Sequence, residues 1–139
     1  MADTFQLEIV TPEKAVVREH ATEAQIPGKK GYLGVLPGHA PLITELAVGE
    51  ISYRKPGGEV ERLAVAWGFA EILPDKVTIL AEAAERAEDI DVARAREQKK
   101  RAEERLHSPD PETDFERALV AMERAETRIA VAEKGSDKQ

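Results

Sequence analysis

Six arginines fall into two matching rows. Arg94, Arg101 and Arg105 stand at i, i+7 and i+11, and Arg117, Arg124 and Arg128 repeat those intervals. On a helix each set shares one side. Guanidinium forks grip phosphate oxygens in pairs, so two such rows facing each other across an antiparallel helix pair describe a polyphosphate site. The competing reading is a pair of solvated faces laced with intrahelical ion pairs, Glu97 to Arg101 being one. Like charges brought so close repel, and something acidic is expected between or opposite the rows.

The stretch LGVLPGHAPLI, residues 33–43, also has the look of a reactive loop, with His39 between prolines and glycines. Nucleophilic catalysis needs a base beside a hydroxyl, and no G-x-S-x-G elbow is present. His20 and His107 form no H-x-H or H-E-x-x-H spacing with it, so no metal site is indicated. Neither phosphate-loop glycine pattern occurs. The residues themselves favour a sharp turn in which the His39 ring satisfies buried backbone groups.

The elements that must position these groups divide the chain in two. Eight of nine glycines lie at or before Gly68, and six of eight prolines at or before Pro74. In that first half Phe5, Leu7 and Ile9 alternate with polar residues, as do Ala24 and Ile26. Pro56-Gly57-Gly58 and Pro74-Asp75 each separate two strand-like runs and suggest hairpins. Short strands with frequent turns predict a β-sandwich or barrel over residues 1–85. Residues 86–139 change grammar, with helix formers dominating. The spacing predicts helices over about 91–106 and 114–133, broken by His107-Ser108-Pro109-Asp110-Pro111 and capped on the second by Thr113 or Asp114. These helices are so charged that their stability must come from packing on each other or on a partner.

Composition narrows the classes. The net charge is −7, divided −5 over residues 1–85 and −2 over 86–139, which argues against a general nucleic-acid binder. There is no cysteine, hence no disulfide, zinc–thiolate site or thiol nucleophile. The sequence predicts no signal peptide and no membrane-spanning run. A free-standing enzyme using His39 or His20, and a helical nucleic-acid binder using the arginine rows, are the alternatives these features disfavour.

GYLGVLPGHAPL (residues 31–42) with Leu46 and Gly49, WGFAE (67–71), the run 77–82 and Ile90-Asp91 opening two charged helices together resemble the epsilon subunit of the rotary F-type ATP synthase. The similarity spans residues 5 to about 133. It implies a ten-stranded β-sandwich followed by an antiparallel two-helix hairpin. It implies a non-catalytic subunit on the rotor stalk, touching the gamma subunit and the ring of c subunits, peripheral on the cytoplasmic face of a bacterial membrane and inhibiting ATP hydrolysis. No cofactor is required and no metal is expected. Lys29, Lys30 and His39 become expected partner contacts near the stalk base.

Some bacterial members of that family bind ATP through an I/L-D-x-x-R-A segment, which Ile90-Asp91-Val92-Ala93-Arg94-Ala95 matches. The resemblance carries the ATP site onto Glu85, Ile90, Asp91, Arg94, Ala95, Arg101, Arg124 and Arg128. Asp91 and Glu85 would accept from base or ribose, and the arginines would hold phosphates. The ligand would favour a hairpin folded on the sandwich over helices extended toward the catalytic beta subunit. Asp91 reads equally as a helix N-cap.

Overall fold

The computed structural model describes residues 3–135. Eight strands come first: β1 (Phe5–Val10), β2 (Ala15–Ala21), β3 (Glu23–Gly28), β4 (Gly31–Val35), β5 (Leu42–Leu46), β6 (Gly49–Arg54), β7 (Val60–Ile72) and β8 (Lys76–Arg86). A 3₁₀ turn (Ala87–Asp89) leads to α1 (Val92–Leu106) and α2 (Phe115–Lys134). The expected hairpins form: β6 pairs with the first half of β7, and β8 returns antiparallel along β7.

The described residues hold eight strands, not ten. The difference lies in β7 and β8, which are 13 and 11 residues long. The first half of β7 pairs with β6 (Gly49↔Val65 to Arg54↔Val60) and its second half with β5 (Leu42↔Ile72 to Leu46↔Gly68). β8 pairs with β1 from Lys76 to Leu80 and continues along β7 to Arg86. Each long strand therefore passes through both layers of the sandwich without a break, doing the work of two. The change of partner in β7 falls at Trp67-Gly68, where φ is 50° and 118°.

The alternation in β1 is realised as expected, with Phe5, Leu7 and Ile9 at 1% exposure or less. They join Ile26, Leu46, Ile51, Leu63, Ile72 and Ile79 in one apolar core. In β7 the alternation fails at residues 63–66, which are all buried. Leu63 and Val65 belong to the sandwich core. Ala64 faces the other way and packs with Ala87, Ile90 and Val131 in a separate small cluster. The outer face is thus covered by α2, and only a small side chain fits beneath it.

Asp91 and Asp114 cap the helices, each accepting at 3.0 Å from the backbone N–H three residues on, Arg94 and Arg117. Buried alanines line both helices at seven-residue spacing: Ala95 and Ala102 on α1, Ala118 and Ala125 on α2. The two helices pack as an antiparallel pair through small side chains, which lets the backbones approach. This explains how helices so rich in charge associate at all.

Tyr53 shows one polar fastening of the sandwich. It is 1% exposed, yet its hydroxyl donates to the Glu19 carboxylate, which also meets Lys55 at 3.3 Å. Burial, then the hydrogen bond to Glu19, push the phenol above its ordinary value. A raised acid group stabilises the fold fully below its unfolded pKa, near 10, and that contribution is lost as pH rises through the folded value. Tyr53→Phe keeps the ring and removes the donor, so it should cost about 1 kcal/mol near neutrality. Urea denaturation should show the lower midpoint at pH 7, with the gap to the parent closing above pH 10.

Candidate functional site

α1, α2 and the end of β8 enclose a cleft of about 340 Å³, within the range of small-ligand pockets. Gln98, Arg101 and Arg105 line it from α1, Arg124 and Arg128 from α2, and Glu85 from β8. The acid expected between the rows is Glu85. Arg128 donates to it through Nε at 2.7 Å and Nη2 at 3.2 Å, a two-point pair, and through Nη1 to the Gln98 Oε1 at 2.7 Å. One guanidinium thus ties together the sandwich and both helices. Arg124 lies over the Trp67 ring, 5.5 Å from its centroid. Arg101 meets Glu97 at 3.6 Å, the expected intrahelical pair, with both side chains largely exposed. That contact is weak and leaves the guanidinium available to a ligand.

The structure brings together four of the eight residues that the resemblance assigns to ATP: Glu85, Arg101, Arg124 and Arg128. The other four stand outside the cleft lining. Ile90 packs with Ala64, Ala87 and Val131. Asp91 is the N-cap of α1, taken up by the Arg94 backbone, and Ala95 is buried in the helix seam. The Arg94 side chain is exposed. Four lining residues were not among the eight: Ala102 and Ala121, and the polar Gln98 and Arg105. Arg105 belongs to the same row, and Gln98 sits three residues before Arg101 on the same face, so helical spacing alone could have included it.

The loop at residues 36–41 is a turn, with His39 N–H on the Leu36 carbonyl and Gly38 N–H on the Pro74 carbonyl. The His39 Nδ1 contacts the Ala40 carbonyl at 2.6 Å on the exposed surface. The expectation of a buried backbone partner is corrected: the turn is pinned through Gly38, and the ring lies at the surface. Lys29 pairs with Glu45 at 2.9 Å, and Lys30 is exposed at the β3–β4 turn. Among the described residues no group of three acidic, histidine or cysteine side chains could hold a metal.

A second concavity, about 730 Å³, lies on the outer face of the sandwich beside α2. It is mostly apolar, with Val10, Val48, Trp67, Phe69 and Leu80 in its lining. Phe69 and Leu80 are cross-strand partners and more than half exposed. An exposed apolar pair of this kind marks an interaction surface rather than a site of chemistry.

A β-sandwich with a docked two-helix hairpin, an arginine cleft between them and an apolar outer face is the architecture of a binding module. Residues 4–87 match the beta-sandwich domain of the ATP synthase delta/epsilon chain, and residues 88–133 match its long alpha-helix domain. The chain belongs to this ATP synthase family, and its role is that of a non-catalytic subunit of the enzyme. It is 71% identical to the ATP synthase epsilon chain of Koribacter versatilis over 112 residues, covering 81% of this chain and 78% of that one. It is 47% identical to that of Solibacter usitatus over 134 residues, 96% and 99% of the two chains. Its fold is also similar to a chain in the mitochondrial ATP synthase of Euglena gracilis, with a TM-score of 0.82 at 23% identity over 94% of this chain and 82% of that one.

Proposed function

We propose that this ATP synthase subunit is a rotor-stalk component whose helical hairpin senses ATP and, when released from the sandwich, restrains hydrolysis. One observation carries the reading: the arginine cleft draws its lining from β8, α1 and α2 together. It is complete only while the hairpin is docked. A polyphosphate held there binds the docked state alone and shifts the balance toward it by its differential affinity. Fully helical and extended, α1, the turn and α2 would reach roughly 60 Å, far enough to meet another subunit such as beta.

The partner surfaces follow from exposure. The apolar groove around Phe69 and Leu80 suits the gamma subunit. The loops at Lys29, Lys30 and His39, with exposed Tyr32, Leu36 and Ile43 beside them, suit the c-ring. No helix among the described residues is long and apolar enough to cross a membrane; membership of the ATP synthase family is what supports a peripheral position, which we place on the cytoplasmic face.

Calorimetric titration of the full chain with ATP tests the sensor. The parent should saturate, and Arg101→Ala and Arg124→Ala should each weaken binding by about tenfold or more, the worth of a charged hydrogen bond. Absence of heat from the parent up to millimolar ATP would refute the sensor and leave the stalk role standing.

A further inference from the structure

We propose that Gln98 sets the affinity of the cleft by competing with phosphate for Arg128, a proposal that rests on the nucleotide site described above. Arg128 has five N–H donors. Nε and Nη2 each spend one on Glu85, and Nη1 spends one on the Gln98 carbonyl oxygen at 2.7 Å. Three of the five are therefore committed before any ligand arrives. Glu85 neutralises the guanidinium and fixes its plane. Gln98 does something different: it is neutral, lines the cleft itself, and occupies a donor of Arg128, another residue of that lining. A phosphate that takes Nη1 must first displace this amide.

The chemistry of the other members makes the competition matter. Arg124 lies over the Trp67 ring at 5.5 Å and lines the cleft with no acceptor of its own there among the described residues. Arg101 is held only by the exposed Glu97 contact, and Arg105 makes no ion pair among the described residues. Arg128 is the cleft arginine with the fullest set of internal acceptors, so its release determines how many hydrogen bonds the ligand gains. Gln98 is the acceptor of that set whose removal leaves no charge unpaired.

Gln98→Met keeps the length of the side chain and its helix propensity but accepts no hydrogen bond from Arg128. Calorimetry with ATP, and separately with inorganic triphosphate, should show it binding about tenfold more tightly than the parent, the worth of a hydrogen bond to a charged group. Gln98→Glu puts an anion where phosphate must sit and should bind more weakly than the parent. Amide hydrogen exchange of α2 without ligand should be the same in Gln98→Met and the parent, which separates competition from a change in docking. Unchanged or weaker binding by Gln98→Met overturns the proposal, as does a gain in affinity matched by an equal gain in α2 protection. Saturation of the parent without a gain in the variant removes this proposal alone. Failure of both chains to bind either ligand removes the nucleotide site with it.

Discussion

Val131→Asp is expected to release the helical hairpin from the sandwich while leaving the sandwich folded. Val131 is 0% exposed and meets Ala64, Ala87 and Ile90. That cluster is the apolar attachment of α2, and it is distinct from the core formed by Phe5, Leu7, Ile51 and their neighbours. Burying the valine contributes about 1.5 kcal/mol or more, and an unpaired carboxylate in its place adds several kcal/mol of desolvation. Besides Ala132 beside the same cluster, the other fastenings include Arg128 on Glu85, Lys134 on Glu50 at 3.0 Å, Arg62 on the Gly135 carbonyl at 3.5 Å, and Arg124 over Trp67. The exposed Lys134–Glu50 pair contributes little; the two-point Arg128–Glu85 pair contributes more, but it is already made in the parent and does not offset the loss. The docking equilibrium should move by more than about a hundredfold, the equivalent of roughly 3 kcal/mol.

Three measurements read this change. Amide exchange should accelerate throughout α2 while β1 and β8 remain protected. Emission from Trp67, the single tryptophan in the chain, should shift as Arg124 leaves its face. ATP affinity should fall in proportion to the loss of the docked form. Exchange in α2 matching that of the parent would show that apolar burial at Val131 is not what holds the hairpin. Val131→Ala, which removes methyl groups without adding charge, should give the same pattern on a smaller scale.

Much of this architecture was legible in the residues. The two-residue period in β1, the turn dipeptides and the helix-forming run after residue 90 are local signals, and local signals survive folding. What was not legible depends on contacts distant in sequence. The count of ten strands came with the family resemblance; in this chain β7 and β8 each run on through the change of partner, at Trp67-Gly68 in β7, and eight strands result. Burial of residues 63–66 on both faces could be seen only once α2 was laid over Ala64. The arginine rows correctly required an acid between them, yet pairing Glu85 with Arg128 spans 43 positions, and neither helical spacing nor charge pattern fixes a partner at that range. Asp91 shows the opposite case. Its position before a helix reads as an N-cap, and it serves as one, whatever ligand role resemblance gives it. Gln98 carries no electrostatic signal in the sequence, being neutral, although the 3.6-residue period places it on the same stripe as Arg101 and Arg105.

Gly68→Ala should be the most damaging single-methyl change in the sandwich. A Cβ at this position would stand 1.9 Å from the Leu80 carbonyl oxygen and 2.9 Å from its carbon, both backbone atoms that no rotamer change can move. Its φ of 118° is a conformation that L side chains rarely adopt. Gly68 also occupies the corner where β7 leaves β6 and takes up β5, with the Ala81 backbone directly opposite. Relieving the clash means parting β7 from β8 there, which breaks ladder hydrogen bonds in both layers at once. A loss of about 4 kcal/mol or more is expected, at the upper end of what single substitutions do and a large share of the 5–15 kcal/mol that holds a typical domain together. Gly57→Ala supplies the control: nothing lies within 4 Å of its added Cβ, and its denaturation midpoint should stay close to the parent's. If Gly68→Ala melts within a few degrees of the parent, the close approach of β7 and β8 is not essential to the fold. If it unfolds as expected, the corner at Trp67-Gly68 is where fold and function meet. The same turn of backbone that changes the sheet partner also sets Trp67 under Arg124 and places Phe69 opposite the strand of Leu80, so one glycine helps position both the arginine-lined side and the exposed apolar groove.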